Sequence, residues 1–328
     1  MRMDVAAQTD VGRRKKNNED SYGVFREDTP GLKLFSDGAL LCVADGLGGH
    51  VGGEIASKLA VSLLKDCLKE IRPAPAEDAS SAPAEEACSA SVEEVSSTSV
   101  EEAAQDNEPI LNVLRAAIAK ANDNIFRTNK DFVKSGKPMG TTLLAALVEG
   151  RKAYIANVGD SRCYHIRDGE IIATTEDHSW VDEQVKLGLM SRAEAESDYR
   201  RNFLTRSIGT HPEVPVDTYV WHVVQGDRLL LCTDGLVNMV KDGDISAVFK
   251  RRAGSADYAH RLVSMALENG GRDNVTVVVA HISPTLWHSI TLWLSLFRKR
   301  HGAKVLTGLI ALLAFALGVA AGWWWRGR

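Results

Sequence analysis

Paired cysteines are what this chain most plainly lacks. Its 328 residues include five Cys, an odd number with no Cys-x-x-Cys spacing and no His pair nearby. That excludes a disulfide framework and gives a zinc site no support. Cys42, Cys163 and Cys232 read as reduced thiols inside strand-like runs, and Cys67 falls in a helical pattern. An apolar leader is missing too: Met1 to Gly12 is polar, so no secretory signal is read there. Strong charge of one sign is absent overall. The formal net charge is −4 and aromatics are only 6% of residues, without basic residues interleaved, which argues against a nucleic-acid partner.

That mild average hides two opposite segments. Residues 73–109 hold ten acidic residues and no Lys or Arg, whereas residues 298–328 hold six Lys or Arg and no acid. The first segment consists of four octads, APAEDASS, APAEEACS, ASVEEVSS and TSVEEAAQ, each with an acidic pair. It has no aromatics and little to form a core, so it reads as a disordered acidic insertion serving as a spacer or tether. Near the other end, Val305 to Trp325 is an uncharged run of 21 residues, enough to span about 31 Å as a helix. Arg298, Lys299, Arg300 and Lys304 precede it, and Trp323 to Trp325 form an interfacial aromatic belt. The expected organisation is therefore one domain over 1–283, an amphipathic and basic juxtamembrane linker over 284–304, a transmembrane helix over 305–325 and a short tail, 326–328. The basic flank expects the large domain on the cytoplasmic side of the inner membrane, anchored by a single pass.

Within the domain, apolar spacing predicts helices over 54–71, 110–132 and 256–267. Strands are expected over 21–25, 39–44, 143–148, 153–158, 162–166 and 275–282, with a tight turn at Arg167 to Glu170. Val223 to Thr233 reads as a hairpin. Short strands with tight turns mean antiparallel sheet. Residues 175–206 are polar, partly helical and suited to covering a site rather than filling a core.

One device recurs along the chain. Ala39 to Ala44 runs into Asp45-Gly46-Leu47-Gly48-Gly49, and Leu229 to Thr233 runs into Asp234-Gly235. Ile155 to Val158 runs into Gly159-Asp160, and Gly270 to Asn274, with Asp273, comes just before Val275. Each aspartate alone is an ordinary turn or cap residue. Four at strand ends suggest an acidic cluster on a rigid sheet, which repels itself unless cations occupy it. The basic run Arg13 to Lys16 reads by itself as a solvated charged loop or a nuclear-localisation-like patch; the alternative reading is an anion site beside the acids.

These stretches, with NNEDS from Asn17, MGTTL from Met139, TEDHS from Thr175 and NFLTRSIG from Asn202, occur in the order found in one family. The chain resembles the metal-dependent type 2C serine/threonine protein phosphatases, bacterial branch, over about residues 5–283. The resemblance implies an α+β fold, an α-β-β-α sandwich of two antiparallel sheets flanked by helices. It implies two Mn²⁺ or Mg²⁺ ions, with a third in bacterial members. Asp45 is expected to bridge two ions, with the Gly46 carbonyl, Asp234 and Asp273 beside it. Glu19 and Asp20 act through bound water, and Asp160 stands at the third ion. Such hard cations take carboxylate, carbonyl and water ligands. The implied reaction is hydrolysis of phosphoserine or phosphothreonine on proteins by a metal-bridging water. Implied partners are phosphorylated proteins near the membrane, including a cognate transmembrane Ser/Thr kinase or its substrates.

Three departures stand out. Lys15 occupies the place where the family carries a phosphate-gripping Arg; Arg14, Arg13 and Asn274 are further candidates for that phosphate site. Leu47 stands where some eukaryotic members have a His acid, leaving bound water to protonate the leaving group. Asp198-Tyr199 replaces the His-Pro pair of the family's flap. The competing readings are a catalytically weak phosphoprotein-binding module and another two-metal phosphoesterase.

Overall fold

The computed structural model describes residues 2–26, 29, 38–48, 51–70, 107–132 and 138–283. Its strands are β1 (Arg2–Asp10), β2 (Ser21–Arg26), β3 (Ala39–Ala44), β4 (Gly46–Leu47), β5 (Gly140–Thr141) and β6 (Leu143–Glu149), then β7 (Lys152–Val158), β8 (Arg162–Arg167), β9 (Glu170–Thr174), β10 (Asp217–His222), β11 (Arg228–Cys232) and β12 (Val275–Ser283). The helices are α1 (Val51–Glu70), α2 (Glu108–Phe132), α3 (Trp180–Lys186), α4 (Arg192–Ser197), α5 (Asp234–Val237), α6 (Asp242–Phe249) and α7 (Ser255–Glu268). Residues 3–282 form one compact unit.

Two five-stranded sheets, ordered β1-β12-β11-β8-β9 and β10-β7-β6-β3-β2, make the framework, and β4-β5 is a small separate ribbon. The pairings from β2 through β7 and from β8 through β12 are antiparallel where their register is defined. Central strands are apolar on both faces because both faces are covered. In β3, Leu40, Cys42 and Ala44 pack with Ala56, Ala60 and Leu64 of α1 and Leu114 and Ile118 of α2. Their alternates Leu41 and Val43 are equally buried on the opposite face. The other sheet does the same: Leu230, Cys232, Val277 and Val279 pack with Ile245, Phe249, Tyr258 and Leu262 of α6 and α7. Leu229, Leu231, Val278 and Ala280 are fully buried on its other face. Each such side chain contributes roughly 1.5–3 kcal/mol on burial, so the strand ends project from a stiff double layer.

Several sequence expectations need correction. Residues 223–233 form no hairpin: β10 pairs with β7, whereas β11 pairs with β8 and β12 in the other sheet. The apolar residues on both sides of the turn imitate a hairpin, but the chain changes sheets there, held by Asp227. Strand β1 has no counterpart among the expected strands, because no residue in its described part is fully buried, which leaves no period-two signal. Residues 12–17 hold turns and bends, in keeping with the basic loop read there. Helix α2 begins at Glu108, two residues ahead of the expected start, with Pro109 in its first turn where no amide partner is required. The octads up to residue 106, the linker, the expected span over 305–325 and the tail lie outside the described residues. Among the described residues no helix is long and apolar enough to cross a membrane.

Candidate active site

Antiparallel order explains why distant acids meet. β3 and β7 both run opposite to β6, so their C-terminal ends, carrying Asp45 and Asp160, share one rim. β2 runs opposite to β3, so Glu19 and Asp20, which precede it, arrive at the same rim. In the other sheet β11 runs opposite to β12. The end of β11, with Asp234, therefore lies beside the start of β12, with Asp273. The two rims border one cleft of ≈ 350 Å³ lined by Lys15, Glu19, Asp45, Gly46, Leu47, Gly48, Asp160, Asn202, Leu204, Asp234 and Asp273.

Asp45 is held by its backbone, which leaves its carboxylate for the cleft. Asp45 N–H donates to Thr142 Oγ1 at 2.8 Å, and Thr141 Oγ1 donates to the Asp45 carbonyl at 2.8 Å. Thr142 N–H reaches the same carbonyl at 2.9 Å, and Thr142 Oγ1 meets Ser161 Oγ at 2.8 Å. Gly48 follows at φ +116°, a backbone conformation that glycine holds without strain. Asp234 opens α5, and a Cβ on Gly235 would stand 1.8 Å from the Asn274 carbonyl. Only glycine lets the Asp234 turn lie against the Asp273–Asn274 segment.

Asn274 is a clip, not a cleft residue. Its Oδ1 accepts from Glu19 N–H at 2.8 Å, and its Nδ2 donates to the carbonyls of Val11 and Asn17 at 2.8 and 3.0 Å. It thereby fixes the basic loop against the acids, and its amide is not turned to a phosphate. Arg14 is exposed and outside the cleft lining. Lys15 is the basic residue that reaches in: its Nζ lies 2.6 Å from Asp273 Oδ1. Burial works against its charge, but the hydrogen bond and charge of Asp273, with Asp45 and Glu19, hold its pKa above the ordinary lysine value.

The electrostatics of the acids point to cations. Withdrawal from water, then repulsion from Asp20, Asp234, Asp160 and Asp273, pushes Asp45 well above the carboxylate range. Asp160 is raised likewise, by withdrawal from water and then Asp234 and Asp177. Burial raises Asp20 to about 7 against hydrogen bonds from Thr276 and Thr233, and raises Asp234 to about 6 with help from Asp273. Asp20 sits behind the cleft wall, 6% exposed, accepting from Thr233 Oγ1 at 2.8 Å. Asp20 Oδ1 and Asp234 Oδ1 are buried with no hydrogen-bond partner, a costly arrangement unless a cation or its water meets them. Among the described residues, no three of these groups already close around one point. Asp273 is drawn toward Lys15, and Asp234 Oδ2 accepts from Asn238 Nδ2 at 3.0 Å. The donors are nonetheless all oxygen and strongly anionic, which fits hard divalent ions.

In sequence, MGTTL and NFLTRSIG match the family without disclosing what their residues do. Thr141 and Thr142 prove to be the backbone anchors of Asp45, and Asn202 and Leu204 form one cleft wall. His178, within TEDHS, is 2% exposed and locks the Gly159–Asp160 turn. Burial lowers its pKa despite Asp217 beside it.

Comparison with known proteins agrees with this geometry. A family model described as protein phosphatase 2C matches residues 14–270. The serine/threonine phosphatase Stp of Listeria monocytogenes is 34% identical over 280 residues, 84% of this chain and 95% of that protein. PstP of Mycobacterium tuberculosis is 32% identical over 280 residues, 84% of this chain and 44% of that longer protein. Among solved structures, the Streptococcus agalactiae serine/threonine phosphatase superposes with a TM-score of 0.67 at 29% identity, covering 86% of this chain and 100% of that one. The PstP catalytic domain in complex with two manganese ions gives 0.63 at 32% identity, covering 86% and 99%. On the match of family model, relatives and strand-end acids together, the chain belongs to the protein phosphatase 2C family.

Proposed function

We infer that this chain is a metal-dependent protein serine/threonine phosphatase using Mn²⁺ or Mg²⁺. The observation that carries the reading is the convergence of Asp45, Asp160, Asp234, Asp273 and Glu19 on one cleft, with buried carboxylate oxygens lacking partners. Asp45, Asp234 and Asp273 would hold two ions with the Gly46 carbonyl; Glu19 and Asp20 support them through water, and Asp160 serves a third. When bound, such ions supply an activated water and charge stabilisation for in-line displacement at phosphorus. The chain's own residues do the rest. Thr141 and Thr142 fix Asp45, Asn274 clips Glu19 in place, and Lys15 supplies the positive charge for the substrate phosphate. Lys15 is a point charge without the planar two-pronged fork of arginine, so its grip on phosphate is looser.

The uncharged run over 305–325 and its basic flank support single-pass anchoring in the inner membrane with the catalytic domain cytoplasmic. Substrates would then be phosphoproteins near that membrane, including a transmembrane Ser/Thr kinase or its targets. The test is Mn²⁺-dependent phosphate release from a phosphothreonine peptide by the purified chain, with Asp45→Asn and Asp234→Asn as controls. Release without metal, or surviving both substitutions, overturns the mechanism. Peptide binding without release favours a phosphoprotein-binding module.

A further inference from the structure

The ring of His178 is committed at both ends. Its Nδ1 accepts from Gly159 N–H at 3.1 Å, and its Nε2 lies 3.0 Å from Asp217 Oδ2. A ring nitrogen that accepts from an amide carries no proton, so the proton is assigned to Nε2, which donates to Asp217. The backbone doubles the link. His178 N–H donates to the Gly159 carbonyl at 3.0 Å, and Thr205 N–H donates to the His178 carbonyl at 2.9 Å. Arg206 Nη1 donates to Asp217 Oδ1 at 2.6 Å, holding the far partner in place.

Position gives this network a purpose beyond filling space. Gly159 immediately precedes Asp160, and Thr205 immediately follows Leu204; Asp160 and Leu204 both line the cleft. Gly159 lies at φ +113°, so the turn aiming Asp160 rests on a residue with wide backbone freedom. The amide of that free residue is pinned by the His178 ring. The same histidine carries the strand bridge Ser179–Leu204 on its next residue, which sets the wall formed by Asn202 and Leu204.

We propose that His178 is a positioning residue that aims the Asp160 carboxylate through Gly159 and ties that aim to the substrate-facing wall at Asn202 and Leu204 through Thr205. This rests on reading Asp160 as a metal ligand. Ion binding at Asp160 and peptide binding along the wall are then linked, each strengthening the other by the same factor.

Two substitutions separate the two ends of the ring. His178→Asn keeps an acceptor near the Nδ1 position and gives up Asp217; His178→Gln keeps a donor near Nε2 and gives up Gly159. Mn²⁺ binding to the full chain is measured by titration calorimetry, alongside kcat and KM for a phosphothreonine peptide and a small aryl phosphate. His178→Gln should weaken the weakest Mn²⁺ site by about 10- to 100-fold, the range for losing a residue that orients a ligand. It should also raise KM for the peptide but not for the aryl phosphate. His178→Asn should stay within about threefold of wild type on Mn²⁺, because the Gly159 acceptor survives. Wild-type Mn²⁺ affinity in His178→Gln, or equal losses in both variants, overturns the relay. Should both histidine variants fail to fold, Asp217→Ala reads the same coupling through the tautomer: without that acceptor the ring is free to carry its proton on Nδ1 and give up the Gly159 amide, a route that the amide oxygen of His178→Asn does not have. Weaker Mn²⁺ binding with unchanged aryl phosphate KM supports it, and unchanged binding overturns it. If the wild-type chain itself binds no Mn²⁺, the metal assignment fails and the relay falls with it, a result distinct from a loss confined to the variants.

Discussion

Lys15 Nζ lies 2.6 Å from Asp273 Oδ1 across the mouth of the cleft. One carboxylate is thus shared between a tethered ammonium and the site where a cation is expected. To grip a substrate phosphate, Lys15 must turn from Asp273, and a single point charge makes that exchange without the gain of a paired contact. Arginine would present two parallel donors to phosphate. Lys15→Arg is expected to lower KM for a phosphothreonine peptide several-fold with kcat little changed, and Lys15→Met to raise KM by roughly tenfold, about the worth of one charge-assisted hydrogen bond. Steady-state kinetics on one peptide checks both. An unchanged or higher KM in Lys15→Arg would remove Lys15 from the phosphate site.

Thr142 holds Asp45 from both its side chain and its backbone. Its hydroxyl accepts the Asp45 N–H at 2.8 Å and meets Ser161 Oγ at 2.8 Å. Thr142→Val preserves shape and removes the acceptor, leaving a buried amide unpaired at a cost of about 1–3 kcal/mol. The expected result is a modest fall in Tm together with turnover slowed by roughly tenfold or more, the scale of losing a residue that orients a metal ligand. Asp45 loses its aim while Lys15 and the cleft walls are untouched. Equal turnover in a folded variant would show that Asp45 is positioned from elsewhere.

The strand ends and the acids were legible in sequence because burial on both faces writes an unbroken apolar run, and a run that stops at Asp-Gly marks its own end. Asp45, Asp160, Asp234 and Asp273 all reach the cleft as that pattern implied. What stayed hidden was long-range partnership. Thr142 and Asn274 look like ordinary strand-flanking polar residues, and only the fold reveals that one holds Asp45 and the other binds Val11 and Asn17. The half-buried β1 gave no alternation, and the 223–233 segment imitated a hairpin because apolar content does not record which sheet a strand joins.

That sheet change makes its own prediction. Fully buried Asp227 accepts from Arg167 Nε and Nη2 at 2.8 and 2.7 Å and from Val224 N–H at 2.8 Å, and it pairs with His165 Nε2 at 2.8 Å. Against the cost of burial, these partners hold its pKa below the ordinary carboxylate value. A depressed folded pKa contributes stability above the unfolded value, about 3.9, and loses it as pH falls from there through the folded value. Asp227→Ala should cost about 1–3 kcal/mol, the range for leaving buried hydrogen-bond donors unpaired, and should weaken the extra acid sensitivity below about pH 4. Denaturant melts across pH check this. Since Asp227 is remote from the cleft lining, turnover per folded molecule should match wild type.

The acidic cluster predicts the opposite slope. Asp20 is held at about 7 and Asp234 at about 6 in the folded chain, whereas an unfolded aspartate titrates near about 3.9. Between those values the folded state binds more protons than the unfolded state, so stability without metal falls as pH rises from about 4 to about 7. Metal must displace those same protons, so apparent Mn²⁺ affinity should strengthen over the same window, with proton release on binding. Thermal melts at about pH 5.5 and 7.5, with chelator and with excess Mn²⁺, test the pair of effects. In chelator the Tm should be lower at the higher pH by roughly 5 °C or more; with Mn²⁺ the difference should shrink or reverse, because ligation stabilises the ionised cluster. A Tm in chelator that rises with pH over this range would show that the cluster is neutralised by the chain itself, through Lys15 and its neighbours, rather than by cations.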